Sequence, residues 1–287
     1  MSRRIIKFAV ISFGLAFSHP SLAANNGSNW SGFYIGANAG YGWGSADNNL
    51  TIVDGPAPAA CHFCSVPIGA GGIGGNDQGL AQAAGSTNIN PNGFVGGLQL
   101  GYNWQRANWV YGLEADFQFF DQRQTANSTV SLPTNAGAGF CTGPSCVGNF
   151  ANSVTADWLI TIRPRIGYVW NDALIYGTAG LAISRLSFSQ TYTDNIFTAF
   201  VAGVGGTESA SASATRLGWT AGGGVEYSVA TNWTAKLEYL YVRFDGLNAN
   251  GVLSDAFPAD FANFNNHIDH FATNIVRLGV NYKFGAR

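Results

Sequence analysis

The stretch that decides the fold is Trp109-Val110-Tyr111-Gly112-Leu113-Glu114-Ala115-Asp116-Phe117-Gln118-Phe119-Phe120. Its odd positions are apolar throughout, while Glu114, Asp116 and Gln118 occupy the even ones. A period of two held over a dozen residues predicts a strand whose two faces meet different surroundings. The apolar row is too large and too continuous to be the wetted side of a soluble sheet, and the other row is too charged for a dry core.

The same pattern recurs on both sides of this stretch. Phe33, Ile35, Ala37, Ala39, Tyr41 and Trp43 alternate with Gly and Asn, and Phe94, Leu98, Leu100, Tyr102 and Trp104 with Gly97, Gln99 and Asn103. Trp158, Ile160, Ile162, Ile166, Tyr168 and Trp170 oppose Arg163 and Arg165, with Pro164 on the apolar side, where a missing donor predicts a bulge or a local break. Ile175, Ala179, Leu181 and Ile183 form a fifth row, whose facing Leu174 and Tyr176 leave ambiguous. Leu217 to Val229, Trp233 to Tyr241 and Val276 to Phe284 complete the set, giving eight strands.

Composition agrees. Charged residues are only 10% of the 287, against about a quarter in ordinary soluble domains. With 14 basic and 16 acidic residues there is no electrostatic footprint for nucleic acid. Arg3, Arg4 and Lys7 precede the apolar run Phe8 to Phe17, and Ser21-Leu22-Ala23 supplies a small-residue cleavage site, so residues 1–23 read as a secretory signal and 24–287 as the exported domain. Beyond the signal no apolar run is long enough for a membrane helix, whereas a closed barrel needs only about 9 to 11 alternating residues per crossing. The expected fold is therefore all-β: an eight-stranded antiparallel up-and-down transmembrane β-barrel. A secreted β-sandwich is the competing fold, but it calls for charged outer faces that these strands lack.

Three short connections alternate with four long ones, at about 44–92, 121–153, 187–213 and 246–269. In an outer-membrane barrel the short ones are periplasmic turns and the long ones extracellular loops, with both termini periplasmic. Trp30, Trp104, Trp109, Trp170 and Trp233 fall at the turn end and Trp43 and Trp158 at the loop end, as two aromatic girdles. The loops, rich in Gly, Ala, Asn, Ser and Thr, are expected to build no core, with Asp77 among their solvated residues.

The row facing away from lipid carries Glu114, Asp116, Glu226 and Glu238 with Arg163, Arg165, Arg216, Lys236, Arg277 and Lys283. Eight strands enclose only their own side chains, so these ten groups are expected to pair as a lumen charge network. The alternative is a narrow pore, which six bases against four acids would bias weakly toward anions.

Asn29-Trp30-Ser31-Gly32-Phe33-Tyr34-Ile35-Gly36, Glu238-Tyr239-Leu240-Tyr241 and the segment Asn274 to Phe284 carry a family likeness. Together they resemble the small outer-membrane immunogenic proteins, porin-family surface antigens of alphaproteobacteria with an OmpA-like eight-stranded membrane domain. The resemblance implies a structural surface antigen serving envelope integrity or host and ligand interaction. Its expected partners are outer-membrane lipid, lipopolysaccharide, host or surface ligands and the barrel assembly machinery, which would read Phe284 as a terminal aromatic ahead of Gly285-Ala286-Arg287. With only three residues after Phe284, no cell-wall-binding domain is expected.

Other candidate sites are weaker. Cys61-His62-Phe63-Cys64 lacks the context of a redox or zinc motif, and Cys61, Cys64, Cys141 and Cys146 can form disulfides in three connectivities. His267 and His270 flank Asp269 at the loop end of the last strand. Rim groups of this kind serve outer-membrane hydrolases, and through the family resemblance they are the candidates for haem. Neither Gly-x-Ser-x-Gly nor His-Glu-x-x-His is present, so the expectation is a protein without catalytic residues, cofactor or metal.

Overall fold

The computed structural model describes residues 29–55, 62–63, 77–133, 140–141, 145–196, 198–199, 205–255 and 261–284. The expected signal at 1–23, and Cys61 and Cys64, lie outside these. The strands are β1 (Gly32–Asp54), β2 (Thr87–Ile89), β3 (Asn92–Arg106), β4 (Trp109–Ser131), β5 (Val147–Trp170), β6 (Ala173–Asp194), β7 (Thr207–Ala230), β8 (Trp233–Val252) and β9 (Ala262–Lys283), with one helix, α1 (Asp77–Gly85). The eight long strands follow one another antiparallel, and β9 pairs back onto β1 to close the ring. The three-residue β2 stands outside it, paired to β1 alone.

Two-residue turns join the strands at one end. Asn171 at φ 55° suits the left-handed region there, and Ala107 adopts it at φ 53° without an Asn side chain's local hydrogen bonding. Gly32, at φ 123°, lies where a Cβ would stand 2.7 Å from the Phe284 carbonyl oxygen. The last strand can therefore bond there, with Phe284 N donating to Phe33 O at 2.8 Å.

The strands are longer than the sequence pattern predicts and run into the expected long loops at 44–92, 121–153, 187–213 and 246–269, where residues 44–54, 121–131, 147–153, 187–194, 207–213, 246–252 and 262–269 are strand. The reason is an exchange of faces. In the half nearest the turns the outward row is apolar (Leu113, Phe117, Trp219, Leu278) and the inward row is polar. Beyond Phe119 and Trp158 the outward row of β4 to β7 is mainly Ser, Thr and Asn, with Asp121, Arg123, Asp157 and Arg185 at its lower margin, and the inward row includes Phe150, Val154, Leu186, Phe188 and Ala210. Register shifts at Ala46/Asn48, Phe119/Gln122 and Ala156/Leu159 fall in this zone. Such irregularities bend and re-aim strands, and on β5 the shift swaps which parity faces inward. The outer half is thus built like a soluble barrel with an apolar core, contrary to the expectation that these segments are too polar for one.

At Pro164 the ladder to β6 breaks without a bulge. Pairing runs from Ile162–Leu181 to Arg165–Thr178, and the Thr178 hydroxyl donates to Pro164 O at 2.9 Å. The ambiguous β6 row resolves with Ile175 and Leu181 outward and Leu174 and Tyr176 inward.

Candidate functional site

The lumen is filled in layers. At the turn end Trp30, Val110, Val169, Leu174 and Tyr176 form an apolar floor. Trp30 is 1% exposed, so it plugs the barrel and is no part of a girdle. Trp43, Trp104, Trp109, Trp170 and Trp233 stand on the outer surface, with Trp158 half-buried. The Lys283 ammonium lies 4.8 Å above the Trp30 ring and donates to Asn29 O at 3.1 Å.

Above the floor sits a cluster of four acids and four bases. Arg163 Nη2 donates to Glu114 Oε1 at 2.7 Å and to Asp116 Oδ2 at 2.8 Å. Arg277 Nε reaches Glu238 Oε2 at 2.6 Å, and its Nη2 reaches Asp116 Oδ2 at 3.2 Å. Lys236 Nζ bonds Glu114 Oε1 at 2.9 Å, and Arg165 Nη1 bonds Glu226 Oε2 at 3.1 Å. Tyr34 and Tyr176 donate to Glu114 and Glu238 at 2.7 and 2.8 Å. Arg165 also lies over both tyrosine rings, 4.7 and 5.2 Å from their centroids. All eight charged side chains are buried.

The structure brings together eight of the ten expected lumen charges. Arg216 and Lys283 stand apart from the cluster, since Arg216 lies further along β7 toward the outer half and Lys283 lies at the floor. The excess of bases in the expected lumen thus leaves the central cluster, where four acids meet four bases. Sequence reasoning missed the uncharged lumen residues between and above: Asn38 donates to Gln99 at 3.0 Å, and Gln122 donates to the carbonyls of Gly42 and Gly93 at 3.2 and 3.0 Å. Their inward parity was the available signal. Phe120, Phe244 and Phe271 close the next layer.

At the outer end α1 packs between β1 and β4. Ser128 Oγ donates to Ala84 O at 2.6 Å, and Asn48 and Asn152 both donate to Gly85 O, at 3.1 and 3.2 Å. A Cβ on Gly85 would stand 2.3 Å from the Leu50 side chain and 2.8 Å from that of Phe150, so any larger residue would have to push both buried side chains aside. Asp77, expected in solvent, is buried at the start of α1. Cys141 and Cys146 are bonded to each other, which removes the connectivities that tie two loops together.

His62 is the unexpected residue. It is fully buried, with Nε2 2.6 Å from Asp194 Oδ2 and Nδ1 2.8 Å from Asp255 Oδ2. The Asp54 carboxylate accepts the backbone N–H groups of His62 and Phe63, each at 2.9 Å. Burial alone pulls the imidazole pKa down, but the hydrogen bonds and charges of the two carboxylates outweigh it and raise the pKa to about 9. Burial also raises that of Asp54. The imidazolium therefore clamps β6 and the segment after β8 to the first connection. By contrast, His267 is 58% exposed by its side chain, 3.2 Å from Asp269, and His270 sits opposite Asp245. These rim groups lie on the outer surface rather than in a cleft.

The family model described as outer membrane protein beta-barrel domain matches residues 9–284. The chain is similar to a 31 kDa outer-membrane immunogenic protein of Brucella melitensis biotype 1, 32% identical over 269 residues, which covers 93% of this chain and 89% of that protein. It is also similar to a 22 kDa outer membrane protein of Rhizobium leguminosarum bv. viciae, 31% identical over 192 residues and 67% of each chain. Among solved structures, Neisserial surface protein A is 12% identical with a TM-score of 0.35, covering 88% of this chain and 98% of that one.

Proposed function

Because this chain belongs to the outer membrane β-barrel domain family, with outer-membrane immunogenic proteins among its relatives, we propose that it is a sealed surface scaffold rather than a pore or an enzyme. Its outer-membrane location and barrel fold are the premise. The observation that carries the reading is the filled lumen: floor, charge cluster, amide layer and aromatic layer leave each buried charge of the cluster bonded. Ions crossing it would have to break a network whose members are costly to separate.

The tight turns and both ends of the described barrel are periplasmic in this reading, and the extended halves of the hairpins stand outside the cell. There the Ser, Thr and Asn rows of β4 to β7 lie just above the lipid belt, at the height of lipopolysaccharide sugars, whose hydroxyls they are suited to meet. Lipopolysaccharide and host or surface ligands are the proposed partners of the outer half, and the barrel assembly machinery that of Phe284. The exposed rim histidines support neither a hydrolase nor a haem site. Planar-bilayer recording of refolded protein tests the sealed lumen. No steps above baseline are expected, and steady, weakly anion-selective steps would establish the pore instead.

A further inference from the structure

At the outer tip β7 and the end of β8 are held by one bridge. Their ladder runs from the Ala230–Trp233 turn to Gly218–Phe244, and beyond it, among the described residues, the two share backbone bonds only at Thr207–Ser254, where each N–H donates to the other's carbonyl at 2.8 Å. In between, β7 bonds β6 and β8 bonds β9. The far end of this seam is therefore closed by the bridge and by whatever side chains stand beside it.

Each residue of the bridge is followed by an acid, Thr207 by Glu208 and Ser254 by Asp255. Asp255 is matched: it holds His62 Nδ1 at 2.8 Å, while His62 Nε2 meets Asp194, which also accepts Gly206 N at 2.8 Å just ahead of the bridge. Glu208 is not. It is 4% exposed and wedged against Gly251 of β8, so close that a Cβ there would overlap Oε1, and neither carboxylate oxygen has a hydrogen-bond partner among the described residues. On β6 Tyr192 stands opposite it, with Asp194 two residues further, and β8 and β9 bring Gly251 and its partner Phe264. No Lys or Arg occurs in residues 44–105, 124–162, 186–215 or 244–276, which build the tip, and His62 is already held between two carboxylates. An ionised carboxylate kept dry without a partner is costly, so burial favours the protonated acid and pushes its pKa up to about 7.

We infer that Glu208 is an acid-set latch on the seam: protonated, it lets the Thr207–Ser254 bridge close over it, and ionised, it forces the bridge apart so that the carboxylate reaches water. In the opened tip the carboxyl has its ordinary value of 4.5, so the closed form is favoured in full below pH 4.5, and that advantage is lost as pH rises to 7. His62 acts on the other side of the same bridge over the next interval, its contribution complete below pH 6.5 and lost through 9. The tip thus loosens in two successive steps, Glu208 first. The latch is a property of the wall and depends neither on which side of the membrane the outer half occupies nor on whether the lumen conducts.

The test follows amide exchange of the full mature chain, refolded in detergent, from pH 5 to 9, as protection factors that remove the intrinsic pH dependence of exchange. Protection of the Thr207 and Ser254 amides is expected to fall at least tenfold between pH 5 and 7 and again between 7 and 9, while the belt ladder around Val225 and Leu237 stays constant. Glu208→Gln, which keeps the shape without the charge, should abolish the first fall and leave the second, and His62→Gln should do the reverse. Constant protection at the bridge between pH 5 and 7, or the same fall in Glu208→Gln, would overturn the inference. Should the variant fail to fold, carboxyl-labelled glutamate in the unaltered chain decides the matter by carbon-13 spectroscopy. The chain has four glutamates, and Glu114, Glu226 and Glu238 all belong to the charge cluster. A glutamate signal with its midpoint near pH 7 that follows the loss of protection is expected, and no midpoint above pH 6 would overturn the latch.

Discussion

Glu226 and Lys236 face each other directly across β7 and β8, yet the Lys236 ammonium bonds Glu114 on the opposite wall, at 2.9 Å. Glu226 instead takes Arg165 at 3.1 Å and Asn281 at 2.7 Å. The network is therefore braced across the barrel as well as between neighbouring strands, and Glu114 is its hub, bonded by Arg163, Lys236 and Tyr34.

Glu114→Ala should accordingly destabilise the barrel by about 3–5 kcal/mol, because it strands buried cations. Asp269→Ala, at the exposed rim, should cost under about 0.5 kcal/mol. Urea unfolding of refolded protein in lipid vesicles measures both. Equally small effects would mean that water already screens the lumen.

Trp30→Ala removes the floor and should cost about 3–5 kcal/mol. Trp30→Phe should raise slightly the fraction of tryptophan emission quenched by acyl-chain-brominated lipid, because it removes an emitter that lipid does not reach. Trp219→Phe should reduce that fraction, since Trp219 is 49% exposed on the belt. A quenching loss on replacing Trp30 would return it to the girdle.

His62 gives the outer end a pH dependence. Its pKa is higher in the folded protein, about 9, than the ordinary 6.5, so its contribution is complete below pH 6.5 and lost as pH rises through 9. The shift corresponds to on the order of 3 kcal/mol. Protease cleavage of the outer hairpins should therefore quicken between pH 7 and 10, and His62→Gln should flatten that rise. A flat profile in the unaltered protein would contradict a charged His62.

Protease added to intact cells should cut within residues 132–146, between β4 and β5, and leave the belt embedded. Reduction of Cys141–Cys146 should quicken that cut while preserving the slower or faster migration that distinguishes unboiled from boiled protein. Cleavage that appears only after the outer membrane is opened would invert the proposed sidedness.

The belt was legible because lipid and a charged lumen impose opposite chemistries on alternate residues, as Leu113 and Glu114 show. The outer half carries the same period in Ser187-Phe188-Ser189-Gln190-Thr191-Tyr192, but with the apolar residues inward, so it looked like polar connection when judged by the belt's rule. Of the candidate site, the central charges followed from parity alone. Trp30 did not, because its inward turn depends on the ring closing around it. Nor did His62, whose two carboxylates come from residues 132 and 193 positions away in sequence.

The exchange of faces between the two halves also bears on how such a wall reaches its place. With the proposed sidedness, the outward rows of Ser, Thr and Asn on β4 to β7 must traverse the hydrocarbon before they arrive in water. Lys or Glu in those rows would make the passage far more expensive than hydroxyls and amides do. The few ionic groups on the outer half stand mostly at its lower margin, as Asp121, Arg123, Asp157 and Arg185 do, or are folded inward, as His62 and Glu208 are. A sparsely charged exterior thus suits a surface that has to be carried through oil once, during assembly, and live in water ever after.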